Sequence, residues 1–135
     1  MVSERFPPDD PREWLNRAKS SLAKAKIIFG TDSEVYLEDM CFDAQQAAEK
    51  AIKAVLIYLG VQFPRVHDLA YLLALVEREG QNVSESIRRA AILSDYAVES
   101  RYPGFSEPVT YEEYEEAISI AEEVVHWAEK QIIMK

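Results

Sequence analysis

The stretch from Glu34 to Leu59 holds neither Gly nor Pro, and Gly60 follows it at once. Leu37, Cys41, Ala44, Ala48, Ala51 and Val55 recur along it at steps of three and four, the period of one helix face. The expectation is a single long helix, roughly 38 Å at about 1.5 Å per residue. A helix of that length cannot bury its stripe alone. The alanines in its middle let another helix approach closely, so the chain must build a bundle around it.

The rest of the chain supplies the partners. Asp10-Pro11-Arg12-Glu13 reads as a capping box with Pro at the first helical position, and Gly30 closes a first helix from about Pro11 to Phe29. Trp14, Ala18, Leu22, Ala25, Ile28 and Phe29 form its apolar face, and Arg12, Arg17, Lys19, Lys24 and Lys26 make its other sides basic. A short third helix, about Asp68 to Glu79, turns Leu69, Leu72, Leu73 and Val76 inward. Asn82-Val83-Ser84-Glu85 opens a fourth, which Pro103 ends near Ser100, with Ile87, Ala90 and Ala97 inward and Arg89, Ile92 and Tyr96 on one flank. Thr110-Tyr111-Glu112-Glu113 opens a fifth that runs almost to the C-terminus. Its core face is Tyr111, Tyr114, Ala117, Ile118, Ala121, Val124, Val125, Ala128 and Ile132, with Ile120, Trp127 and Met134 on a second flank. The fold class expected is all-α: an up-and-down four-helix bundle with a short extra helix, about five helices in one domain over residues 1–135. Residues 1–9 are expected to be loosely ordered.

Charge narrows the functions. Asp and Glu number 24 against 15 Lys and Arg, for a formal charge of −9. Broad electrostatic wrapping of a nucleic acid needs many cations against phosphates and is excluded. A small phosphate-sized site on an acidic body is not. One cysteine, Cys41, leaves no disulfide framework and fits a reducing compartment. No run reaches the roughly 18 apolar residues of a membrane span. The first ten residues lack a secretory core. The expected location is the cytoplasm, with no membrane partner.

Nucleotide-loop and nucleophile signatures are absent, and no cofactor is implied. Glu123-Val124-Val125-His126 matches one half of a carboxylate-bridged di-iron motif. The second half is missing, because Pro64 stands three residues before His67, the other histidine. No metal site is expected. Three places stand out instead. On the second helix Phe42, Gln46, Glu49 and Lys53 share a stripe flanked by Gln45 and Lys50, either a solvated face with a Glu49–Lys53 pair or the floor of a cleft. At Phe63-Pro64-Arg65-Val66-His67-Asp68-Leu69, either Asp68 caps the third helix or His67 is an oriented imidazole titrating near neutrality. Asp68 adjoins His67 too closely to orient it, so a partner from another helix is required. At Tyr96 with Arg101-Tyr102-Pro103, either Pro stops the helix and Arg101 binds its last carbonyls, or Arg101 presents a planar fork to a phosphate or carboxylate beside two rings. The acidic start of the fifth helix, Glu112, Glu113, Glu115 and Glu116, suits the helix dipole. The basic sides of the first helix are a possible neighbour for the fifth.

Taken in order, these landmarks resemble the HEPN family of small prokaryotic helical domains. The resemblance rests on Trp14 through Ala25, on Asp43-Ala44-Gln45-Gln46-Ala47-Ala48-Glu49-Lys50-Ala51-Ile52-Lys53-Ala54, on His67-Asp68-Leu69, on Tyr96 with Arg101-Tyr102-Pro103, and on the helix that starts at Thr110. It covers about residues 10 to 130. The resemblance implies an all-helical bundle, a homodimer, and frequent pairing with a minimal nucleotidyltransferase in a toxin–antitoxin-like couple. Many such domains are metal-independent ribonucleases that use Arg, four to six residues, then His. That pair is not found here: Arg65 is two residues before His67, and Arg101 is far from His126. The positions that match are Gln46, Glu49, Lys50, Lys53, His67, Asp68, Tyr96, Arg101 and Tyr102, and the role the resemblance implies for them is nucleotide binding.

Three functions follow, in this order. The first is a dimeric binding module that pairs with a nucleotidyltransferase and holds a nucleotide, with Arg101 on phosphate, Lys50 or Lys53 assisting, and Tyr96 or Tyr102 stacking on the base. The second is a ribonuclease of non-standard layout, with His67 as general base and Arg101 stabilising the phosphorane charge. The third is a purely structural interaction module.

Overall fold

A computed structural model describes residues 4–27, 34–97 and 108–133. The elements are α1 (Pro11–Ala25), α2 (Leu37–Tyr58), α3 (Leu69–Arg78), α4 (Glu85–Arg88) continued by a 3₁₀ segment (Arg89–Ala97), and α5 (Tyr111–Ile133). No strand occurs among the described residues. The fold is the expected all-α bundle.

Direction follows from paired residues. Lys26 meets Glu122 and Lys19 meets Glu129, so α1 and α5 run antiparallel. Lys50 reaches Ser21 and Lys24 reaches Asp43, so α1 and α2 are antiparallel as well. Helices α2 and α5 therefore run the same way, and α3 with α4 and its 3₁₀ continuation forms the return leg. The α2 helix packs against α1, α3, the 3₁₀ segment and α5. Its alanines at 44, 47, 48, 51 and 54 are wholly buried, as are Ile52 and Leu56. The close-approach stripe is real, but burial extends almost all round the helix.

Caps show where the sequence reading held and where it slipped. Thr110 and Glu113 exchange side-chain-to-backbone bonds at 2.9 and 3.0 Å, a complete capping box. Asp10 caps α1 through the Arg12 amide at 2.8 Å, but Glu13 does not reach back to it, because its carboxylate binds Arg5, Arg17 and the Phe6 amide instead. Within Asn82-Val83-Ser84-Glu85, Ser84 caps α4 by accepting from the Ile87 amide. Gly60 and Gly80 follow α2 and α3 at φ of 74° and 84°, the left-handed geometry that ends a helix. The first helix stops at Ala25 rather than near Phe29, and α2 begins at Leu37 rather than Glu34. Residues 4–8, read as loosely ordered, lie against α1: Asn16 donates to the Glu4 carbonyl, Trp14 Nε1 donates to the Pro8 carbonyl, and Arg12 sits 4.1 Å over the Phe6 ring.

The fourth helix differs most. It makes one α turn and then tightens to three residues per turn. With that period Tyr96 lines up with Ala90 and Leu93, both wholly buried, and leaves the flank of Arg89 and Ile92. In α5, Tyr114, Ala117, Ala121, Val124, Val125, Ala128 and Ile132 are buried as expected, and so is Ile120 from the second flank. Ile118 is only partly buried, and Tyr111 is 57% exposed. Position 111 opens the helix, where the ring can rest against Tyr114 (centroids 5.8 Å apart) without entering the core.

Candidate functional site

One row of α2 organises the site. Gln45, Glu49 and Lys53 stand four residues apart, so they stack on one face. All three are buried; Glu49 is only 4% exposed. Gln45 Nε2 donates to Glu49 Oε1 at 2.8 Å, Lys53 Nζ donates to Glu49 Oε2 at 2.8 Å, and Gln46 Nε2 donates to Gln45 Oε1 at 2.7 Å. The loop before α3 completes the cluster. His67 Nδ1 lies 2.8 Å from Glu49 Oε1. The His67 backbone carbonyl also faces the Gln45 amide at 3.5 Å. A carboxylate taken out of water is costly unless its lone pairs are satisfied. Here an ammonium, an amide and an imidazole satisfy it.

Electrostatics follow the geometry. Burial pushes the Glu49 carboxyl up, but the hydrogen bonds from Lys53, Gln45 and His67 together outweigh burial and hold it below its ordinary value. It is therefore an anion at neutral pH. Lys53 Nζ also sits 5.5 Å from the centre of the Phe63 ring, which meets Trp14 edge-on at 6.1 Å. The His67 side chain is 57% exposed, so the loop holds one edge of the ring on Glu49 while the ring reaches solvent. If Nδ1 carries the hydrogen, Nε2 is the free basic nitrogen.

The remaining candidates fall in different places. The solvated-face reading of Glu49 and Lys53 is overturned, since the face is occupied by the His67 loop and Phe63. The demand for a helix partner to orient His67 is met by Glu49. Asp68 is exposed and caps α3 through the Tyr71 amide at 3.3 Å. Lys50 is half-buried and donates to Ser21 Oγ at 3.3 Å, pointing to α1 and not to the Glu49 cluster. Its pKa is lowered by burial first and by Lys24 next. Tyr96 is half-buried against Cys41, and burial raises both groups, the thiol to about 12. Its ring packs on the core while staying partly exposed. Ser100, Arg101, Tyr102, Pro103 and Gly104 lie outside the described residues. His126 is exposed, and no group of three or more His, Cys, Asp or Glu among the described residues is arranged to hold a metal ion. Gln45 reads from the sequence as a flank of the stripe and not as a site residue, although its four-residue spacing from Glu49 marks it as the next rung.

Comparison with known proteins fits this architecture. The HEPN domain family model matches residues 11–131. The chain belongs to the HEPN domain family. A relative of known structure, TT1696 from Thermus thermophilus, superposes with a TM-score of 0.74 at 31% identity, covering 90% of this chain and 97% of that one. The crystal structure of ST0689, described as an archaeal HEPN homologue, gives 0.68 at 30% identity over 91% of this chain and 98% of that one. A protein of Methanocaldococcus jannaschii named "Putative toxin MJ1304" is 28% identical over 126 residues, 83% of this chain and 81% of that protein. No helix among the described residues is long and apolar enough to cross a membrane.

Proposed function

We propose that this HEPN chain is one single-domain component of a toxin–antitoxin-type pair: a homodimeric binding subunit that docks a minimal nucleotidyltransferase and holds a nucleotide beside α2. The toxin name carried by the Methanocaldococcus jannaschii relative supports the pairing. The observation that carries the nucleotide part is the buried Glu49 that fixes Lys53 and His67 together on one side of an acidic molecule. The exposed His67 ring, already held, loses little freedom when a phosphate arrives, and the Lys53 charge stands behind it. Phe63 and Trp14 offer apolar rings nearby. Calorimetric titration with ATP and AMP tests the reading. Heat is expected with the wild type and a loss of at least tenfold in affinity with His67→Ala. No heat with the wild type, or equal heat with the variant, removes the nucleotide part.

A second reading is ribonuclease chemistry. It is favoured by one distance, the 2.8 Å between His67 Nδ1 and Glu49 Oε1, because a carboxylate-oriented imidazole with an outward Nε2 is what a general base needs. Cleavage of RNA by the pure protein that is lost in His67→Ala supports it. Intact RNA after incubation removes it.

A further inference from the structure

The outer side of α1 carries a second constellation that shares no residue with the Glu49 cluster. Arg5, Glu13, Asn16, Arg17 and Ser20 line a cavity of about 260 Å³. Glu13 is its fixed point, almost wholly buried at 2% exposed. Arg5 grips it through Nε and Nη2, at 3.1 and 2.8 Å to Oε2. Arg17 adds Nε at 3.1 Å, and the Phe6 amide donates to Oε1 at 2.9 Å. These donors, the Arg5 hydrogen bond first, pull the Glu13 carboxyl down to about 2, so it stays charged and holds both guanidinium groups at neutral pH.

Two cations on one carboxylate leave a net positive charge of one. Glu13 engages one edge of each fork only. Nη1 of Arg5 and both terminal nitrogens of Arg17 are not used by it, and the two side chains are 63% and 55% exposed. Ser20, also exposed, brings a hydroxyl to the same cavity. Rigid guanidinium forks beside a hydroxyl match the tetrahedral oxygens of a phosphate group better than any neutral ligand. The volume lies just below the usual range for whole small-molecule pockets and suits a head group.

We propose that this cavity is an anion subsite for the phosphate group of a small phosphorylated ligand, with Arg5 and Arg17 as its charged donors and Ser20 as its neutral one. Glu13 is a positioning residue that sets the spacing of the two forks. The subsite stands apart from the nucleotide reading at α2, and its test does not depend on that reading.

The full chain is titrated with inorganic phosphate, AMP and adenosine, by calorimetry and by amide chemical shifts. Saturable binding of phosphate or AMP, with shifts at Asn16, Arg17 and Ser20, is expected, and adenosine is expected not to bind there. Phosphate binding without AMP binding identifies the free ion as the ligand; binding of both admits the nucleotide. Ser20→Asp puts a carboxylate into the cavity from an exposed position, so the melting temperature holds while phosphate affinity falls threefold or more. Arg17→Gln weakens binding in the same direction. Lys26→Gln removes an equal charge just past the far end of α1, on its seam with α5, and leaves affinity unchanged. No saturable phosphate or AMP binding, shifts confined to residues outside the cavity, or less than a threefold change in Ser20→Asp overturns the proposal.

Discussion

Charge is used in two ways in this molecule. At the seam of α1 and α5, Lys19–Glu129 and Lys26–Glu122 pair at 2.5 and 2.6 Å on side chains that remain about a quarter to a half exposed. Inside α2, Glu49 and Lys53 pair at 2.8 Å with side chains 5% and 8% exposed. The distances are alike and the consequences are not. Seam pairs keep most of their hydration, so forming or losing them changes little. The interior pair has given up its water, so each member depends on the other. The seam settles which face of α5 meets α1. The interior pair instead fixes a loop histidine onto a long helix, which a packing role alone does not require.

The contrast predicts a graded series. Glu49→Ala strands the Lys53 ammonium in a dry site and lowers stability by about 3–5 kcal/mol, read from the denaturant midpoint. Replacing both Glu49 and Lys53 by Leu removes the stranded charge and recovers most of that loss. A single-variant cost below about 1 kcal/mol would place Glu49 with the seam pairs. The Glu13 clasp stands between the two groups, with a buried anion and exposed cations. Its folded pKa lies below its ordinary 4.5, at about 2. The stability it contributes is therefore complete above 4.5 and lost as pH falls toward 2. Melting curves across that interval should show a shallower acid limb in Glu13→Gln than in wild type. Parallel limbs in the two proteins would mean that Glu13 is not the group that titrates.

The bundle was legible because its signals are local. Thr110 with Glu113, Gly60 and the alanine stripe each declare a cap, an end or a close approach within a few residues. Three features were not local. A glutamate four residues before a lysine reads the same on a wet face as in a core, and the burial of Glu49 is decided by a loop that returns to α2 at His67. The fourth helix offered apolar residues that suit either period, and only packing against α2, α3 and α5 chooses three residues per turn after Arg88. That choice turns Tyr96 toward the core, where it is partly buried, and dissolves the expected flank with Arg89. For the same reason Glu13 looked like half of a capping box. Two of its three partners, Arg5 and Phe6, lie before the helix, where the sequence showed no periodic pattern, and only Arg17 stands within it.

The smaller effects sharpen the comparison from its weak side. Tyr114→Phe removes a buried hydroxyl that donates to the Ala25 carbonyl at 2.7 Å, tying the start of α5 to the end of α1. About 1 kcal/mol is expected, independent of salt, because neither partner is charged. Lys26→Ala breaks a contact at the same end of the same seam, but one between side chains about half exposed. Its cost should be about 0.2–1 kcal/mol at low ionic strength and vanish near about 1 M salt, where screening acts within about 3 Å. Denaturant midpoints of both variants, taken at low and high salt, separate the two cases. If the Lys26→Ala cost persists at high salt, the Lys26 stem packs on α5, and the seam then holds by apolar contact where it looks ionic.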